Sequence, residues 1–272
     1  MKSSLIARCL GLAALGFALL AAPSVSHART LDEILKSGVV RIGVNPNFKP
    51  MSSIGTNNEF EGFDIDIANK IAEALKLKVE FVPQLANQRL PFLTADRTDM
   101  SLGALTRTAE RAKLIDYTVP VHTEAMAVLM TEKVTVSTWK ELNSEKYTLV
   151  DQRGNWTVGF SQTNLPQAKM LIVDSTPDVV RAVAQGRADA IVNNIDFFMA
   201  LTKNYPDVKW KVLKETITVA YCAIGLQRGN DALRTFLNIL LYELHSSGFV
   251  NQTWEKWYGA PMLRKVEPQP FF

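Results

Sequence analysis

Apolar positions recur with two different periods along this chain, and the switches between them mark out its elements. Val39 to Asn45 ("VVRIGVN") alternates as a strand does. In "DIDIANKIAEALKL", Ile67, Ile71 and Leu75 fall at i, i+4 and i+8, an amphipathic helix. "KVEFVP" is a second strand ended by Pro83, followed by a helix near Leu90 to Ala95 and a strand in "TDMSLGAL". Upstream, Thr30 and Glu33 have capping-box spacing for a short helix stopped by Gly38. Further on, "NWTVGFSQTN" reads as a strand with its following loop, and Thr176-Pro177-Asp178 as a helix start with proline at the first helical position. Asn230 suits the N-cap of a helix with Leu233, Phe236, Leu237, Leu240, Leu241 and Leu244 on one core-facing stripe, stopped by Gly248. Strands alternating with helices at this spacing predict an α/β fold with a largely parallel sheet.

A weak internal echo adds to this. "FLTADRTDMSL" (Phe92 to Leu102) matches "AVAQGRADAIV" (Ala182 to Val192): an apolar helix end, a turn, then Asp opening a strand. Gly186, and at a small cost Asp96, suit the left-handed helix stop. Two copies so far apart predict two lobes of similar build, not a solenoid.

The ends and the charge narrow the class. Lys2 and Arg8 precede or flank an apolar run, Cys9 to Ala22, that is too short to cross a bilayer. Ser26 and Ala28 are small residues at the cleavage-site positions, so 1–28 is expected to be a signal peptide removed before Arg29 on export. The remaining length suits two modest domains. The formal net charge is +3, and two of the basic residues lie in the leader, so the mature chain is nearly neutral. That excludes a polyanionic partner such as nucleic acid. Of the two cysteines only Cys222 outlasts cleavage, so stability must rest on the hydrophobic core.

Candidate chemistry is sparse. His27 leaves with the leader, His245 falls in a last helical turn where it complements the dipole, and His122 is isolated. There is no His/Cys spacing for a metal and no glycine-rich phosphate loop, so neither metal nor cofactor is expected. Trp254 and Trp257 read as packing anchors. One stretch stands apart, "GALTRTAERAKLIDYTVP". Thr108 is a plausible N-cap there, which puts Arg111 in a first helical turn, against the macrodipole. Either Arg111 pairs with Glu110 or Asp116 on the surface, or it holds an anion.

Together "RIGVNPNFKP", "EGFDIDIANKIAEAL", "LPFLTADRTDM", "LTRTAERAKLIDYTVP", "GRADAIV" and the tryptophan-bearing C-terminal helix resemble the periplasmic polar-amino-acid-binding proteins of ABC importers. These are two-lobed, type II solute receptors, and the resemblance covers the whole mature chain. It implies two mostly parallel sheets flanked by helices and joined by two crossovers. Lobe one would comprise 29–127 and 219–272, and lobe two 128–218, with the ligand in the cleft between them. "NSEKYTLVDQRG" is extra length before the first strand of lobe two and finds no place in that scheme.

The resemblance also implies a site. Arg111 and Thr106 match the arginine and hydroxyl that grip a ligand α-carboxylate, for which a planar guanidinium is suited. Phe48 matches an aromatic cover, and Ala86, Gly103 and Ala104 match small cleft-wall positions. Arg89 lies near enough to face a polar ligand end, or else is a surface residue. Thr163 and Asn164 match, in part, the lobe-two loop that completes the carboxylate site. Where the family has an acid for the ligand ammonium, this chain has Asn194, which brings no charge; Asp196 is a substitute, and helix capping is the alternative role for Asn194.

The implied function is a periplasmic, monomeric receptor that closes on an amino acid or similar small carboxylate and delivers it to a membrane permease. The same scaffold hosts a cyclohexadienyl dehydratase, for which Glu124 or Asp116 would be the candidate general acid. A third class, a receptor feeding a membrane signalling protein, would need a transmembrane tether.

Overall fold

The computed structural model describes residues 28–269 apart from Lys214, without the side chains at 196, 197 and 200. All but Ala28 of the expected signal peptide lies outside the described residues. In chain order the elements are α1 (Leu31–Ser37), β1 (Val39–Val44), β2 (Asn47–Phe48), β3 (Ser52–Ile54), β4 (Phe60–Glu61), α2 (Phe63–Leu75), β5 (Lys78–Pro83), α3 (Arg89–Thr94), β6 (Met100–Ser101) and the 17-residue β7 (Ile115–Thr131). There follow β8 (Thr148–Gln152), α4 (Trp156–Asn164), β9 (Lys169–Val173), α5 (Thr176–Ala184), β10 (Ala190–Asn194), α6 (Ile195–Thr202), β11 (Trp210–Val212), β12 (Thr218–Gln227), α7 (Asp231–Ser246) and α8 (Phe249–Tyr258).

The strands run in the order β5-β1-β6-β12-β7-β10-β8-β9, with β11 also on β7, while β2, β3 and β4 make a separate ribbon. Pairs β1/β5, β1/β6, β8/β9 and β8/β10 are parallel, and the long strands β7 and β12 are antiparallel to each other. β7 pairs with β12 from Ile115 to Met126 and with β10 from Met126 to Met130. Two α/β lobes therefore share one sheet through a pair of long strands.

Each lobe has its own core. In the first, Ile42, Val44, Ile67, Ile71, Leu237, Leu241 and Trp254 are buried together. In the second, β7 divides its side chains by the pleat: Met126, Val128 and Met130 join Leu149 and Val192 on one face. Leu129 meets Val150, Val179, Val183 and Phe198 on the other. Trp254 is 1% exposed and stacks on Tyr258, and Trp257 donates its indole N–H to Asp66.

The internal echo is a structural repeat. Asp96 (φ 52°) and Gly186 (φ 71°) both follow helices in the left-handed region. Just beyond, Asp99 Oδ2 accepts from Arg41 N at 2.7 Å, while Asp99 N donates to Arg41 O. Asp189 does the same with Thr148 N and O. In each lobe an Asp pinches one residue of a neighbouring strand through both its backbone N–H and its carbonyl. Asp99 alone also binds two arginines, Arg29 and Arg41. Burial would raise its carboxyl, but the hydrogen bonds from Arg29 and Arg41 outweigh burial and hold it below the usual value.

Several expectations need correcting. "NWTVGFSQTN" is not a strand and loop but helix α4, with Asn155 in the extended N-cap conformation. The strand is Thr148–Gln152, inside the segment that found no place. The turn opened by Thr108 is a single 3-10 turn, Arg111–Lys113, too short to carry a macrodipole. Asn230 occupies an N-cap position, but its amide donates to Arg29 O instead of closing the helix. His245 is 7% exposed and bonds Pro120 O; burial lowers its pKa, so it is a neutral core residue at pH 7 rather than a cation on the dipole.

Candidate functional site

The ends of β1, β6, β8 and β10 face one another across the gap between the lobes. The cavity there is lined by Phe48, Ala86, Arg89, Gly103, Ala104, Thr106, Arg111 and Asn194, all expected from the sequence. Thr163 and Asn164 are not brought to it. They lie exposed in the last turn of α4, where the Asn164 amide bonds Phe160 O. The second lobe instead contributes the opposite end of α4, Asn155 and Trp156, with Gln152, Thr176 and Asn193. Asn45, Gln84, Leu102, Glu124 and Phe198 complete the wall; of these only Glu124 was singled out from the sequence, as a candidate general acid.

Arg111 is half-buried at the cavity mouth. Its backbone N–H is capped by the Thr108 hydroxyl at 3.2 Å. Its guanidinium donates to Thr106 O at 3.0 Å and, from the other nitrogen, to Gly154 O in the second lobe at 2.9 Å. Neither Glu110 nor Asp116 pairs with it in the ion pairs of the described residues, and Asp116 turns to Gly229 N and Arg234.

Arg89 is 4% exposed and is no surface residue. Its Nε donates to Ala86 O at 2.9 Å, its Nη1 to Gly103 O and Ala104 O, and its Nη2 to Gly154 O at 3.4 Å. Gly103 (φ 94°) and Ala104 (φ 53°) adopt consecutive left-handed conformations, which turn both carbonyls to this fork. Ala104 takes a conformation costing on the order of 1–3 kcal/mol for a residue with a Cβ, strain of the kind kept at ligand sites. Burial, and then the Arg111 charge, push the Arg89 pKa down to about 10, so it stays cationic at neutral pH. Its charge fixes the wall and biases the cavity toward anions.

The second-lobe wall hangs on Asp151, which is 2% exposed. Its carboxylate accepts from Asn155 Nδ2 at 2.9 Å, Asn193 Nδ2 at 3.0 Å and the Thr157 hydroxyl. Burial raises its carboxyl to about 6, against those bonds. Asn194, 3% exposed, receives no charge from this network; its backbone N–H bonds the Asn193 side chain.

Beneath the cavity His122 is not isolated. His122 and Glu124 lie on one face of β7, and Cys222 stands opposite His122 on β12. Their donor atoms fall within 4.8 Å of one another, the described residues best placed to hold a metal. His122 Nε2 and Glu124 Oε1 stand 3.9 Å apart, so a zinc ion bound at about 2 Å from each would have to draw them closer. Thr106 Oγ1 meets Cys222 Sγ at 3.6 Å, and burial, with the Glu124 charge, pushes that thiol's pKa up. An unreactive thiol follows.

Asp64, at the start of α2, is 2% exposed. Burial raises its carboxyl to about 8, against a hydrogen bond from Gly103 N–H and the charge of Arg89. A carboxyl raised from 3.8 in this way stabilises the fold fully below its unfolded value. The contribution is lost as pH rises through the folded value. Stability should therefore fall between about pH 4 and pH 8, by at most about 1.4 kcal/mol per pH unit. Asp64→Asn should remove that part of the slope, so melting curves at pH 5 and pH 8 will differ less for the variant than for the wild type. Equal slopes would mean that Asp64 ionises normally.

The pattern of the bacterial extracellular solute-binding proteins, family 3, matches residues 40–260. The chain belongs to that family. Among relatives, cyclohexadienyl dehydratase of Pseudomonas aeruginosa is 24% identical over 88% of this chain and 90% of its own. A probable amino-acid ABC transporter-binding protein of Haemophilus influenzae is 25% identical over 86% and 90%. Solved folds agree. An ancestral amino acid-binding protein, a precursor of cyclohexadienyl dehydratase, superposes with TM-score 0.77 and 28% identity over 84% of this chain and 99% of its own. The cysteine-binding protein of Campylobacter jejuni gives 0.78 and 27% over 88% and 96%. The type II two-lobed architecture is thus common to this chain and its neighbours.

Proposed function

We propose that this protein is the solute-binding receptor of an ABC importer, taking an amino acid or a similar small carboxylate between its lobes and passing it to a membrane permease. The reading rests on Arg111, a guanidinium at the cavity mouth that already reaches from Thr106 O to Gly154 O across the gap. A carboxylate arriving there meets a planar fork, the Thr106 hydroxyl and the buried Arg89 charge. Lobe boundaries at 29–127 with 219–272, and at 128–218, fit the change of β7 partner at Met126. Removal of 1–28, a periplasmic location and a monomeric state complete the proposal.

Function without catalysis is part of it. Of the two acids considered for a dehydratase, Asp116 lies away from the cavity, whereas Glu124 lines it. Glu124 in the cavity wall and the likeness to a cyclohexadienyl dehydratase both favour an enzyme, and turnover must be tested. A thermal-shift screen of the twenty L-amino acids and small carboxylates should find a stabilising ligand, since saturation at 100 times Kd adds about 2.7 kcal/mol. Small-angle scattering should then show a smaller radius of gyration with that ligand, as the lobes close. A cyclohexadienol acid should yield no aromatic product. No binder in the screen would sink the receptor reading, and catalytic release of an aromatic acid would replace it.

A further inference from the structure

The cavity holds two fixed cations, Arg89 and Arg111, and among its described lining residues a single acid, Glu124. It lies on β7 opposite Ala220, where that strand passes from one lobe toward the other, and is 7% exposed. Cys222 shares a hydrogen bond with it and Arg89 attracts it through space, but neither is a cation in contact with it. Arg89 directs its donors to carbonyls of Ala86, Gly103, Ala104 and Gly154, and forms no ion pair with Glu124 among the described residues. His122 stands at 3.9 Å, beyond hydrogen-bond reach. A buried carboxylate that borders a cavity and has no cation in contact with it among the described residues calls for one. Along the wall the order is Arg111, Thr106, Cys222, then β7, because Thr106 bridges Cys222 and Cys222 pairs with His122. Arg111 and Glu124 therefore stand at different places along one wall, as the two ends of a zwitterion do.

We propose that Glu124 binds the ligand's ammonium group, doing from the crossover strand what the uncharged amide of Asn194 does not do from the second lobe. The assignment rests on the receptor reading above and deepens it. It makes the ligand class an α-amino acid, and it selects against deaminated acids and dicarboxylates, whose second charge would face a fixed anion.

The test uses the full chain and calorimetric titration with the twenty L-amino acids. The tightest binder is paired with the same molecule carrying hydrogen in place of its ammonium group. The wild type should prefer the amino acid by 100-fold or more. Glu124→Gln should cut that preference about 10- to 100-fold, mainly through weaker binding of the amino acid. Asp196→Asn should leave the preference intact. If Glu124→Gln does not fold, as judged by melting of the unliganded protein, Glu124→Asp takes its place, keeping the charge but withdrawing it by one methylene, with an intermediate loss expected. An unchanged preference in the Glu124 variant, or its loss in Asp196→Asn, would overturn the assignment. Tight wild-type binding of deaminated acids but of no amino acid would overturn it too, while leaving a carboxylate receptor standing. Failure to bind either class would remove the receptor reading itself.

Discussion

Replacing Arg111 by alanine should weaken binding of an amino acid or small carboxylate by roughly 30-fold to several-thousand-fold. The loss corresponds to about 2–5 kcal/mol for leaving one member of a desolvated charge pair without its partner. Arg111→Lys should recover only part, because an ammonium keeps the charge and loses the fork. The unliganded protein should melt nearly as before. Arg111 is half-buried in a single turn, and its removal leaves Thr106 O bonded to the Tyr117 hydroxyl and Gly154 O to Arg89. Calorimetric titration and melting curves of both variants check this. Near-normal affinity in Arg111→Ala would mean that the ligand carboxylate sits elsewhere.

Gly154→Ala should act on the same event from the opposite lobe. Gly154 has φ +85° and no room for a side chain, because a Cβ there would lie 2.6 Å from Asn87 Cα and 2.9 Å from Ala86 C. Both contacts are with backbone of the first lobe, so the clash is relieved by parting the lobes. Parting them also stretches the bonds that Arg89 and Arg111 make to Gly154 O. Affinity should drop on the order of 10- to 100-fold, and the liganded radius of gyration should stay near the unliganded one. The left-handed conformation costs alanine about 1–2 kcal/mol, so the variant still folds. Full ligand-induced compaction in Gly154→Ala would show that the gap has slack the static structure hides.

How much of this could be read beforehand differs residue by residue. Arg111 and Thr106 were singled out by the family resemblance, since their own spacing left Arg111 open between surface and ligand, and Asp99 and Asp189 because the same pinch is written twice. The turn at 153–156 was missed because Trp156, Thr157 and Val158 carry strand propensity. Asp151, by holding Asn155 and Thr157, starts a helix there instead. Arg89 was seen as a residue but not as a role, since no sequence pattern tells whether a guanidinium faces a ligand or four carbonyls of its own chain. Glu124 was the hardest to place. β7 is buried without a break from Thr118 to Met130, so the alternation that would show which side chain meets the cavity is absent.

The sharing of β7 between two partners has a bearing on how such a protein can be altered. Met126 stands opposite Thr218, so the chain enters and leaves the second lobe at neighbouring points on adjacent strands. Seen from the first lobe, everything in between is an insert whose two ends meet, the arrangement that tolerates domain insertion. That junction is a socket. A different α/β module with ends one strand spacing apart would plug into it without re-threading the first lobe, and would bring its own cavity wall against the Arg111 fork. Recombination at these two strands would thus exchange half of the cavity wall while leaving Arg111 and Thr106 in place.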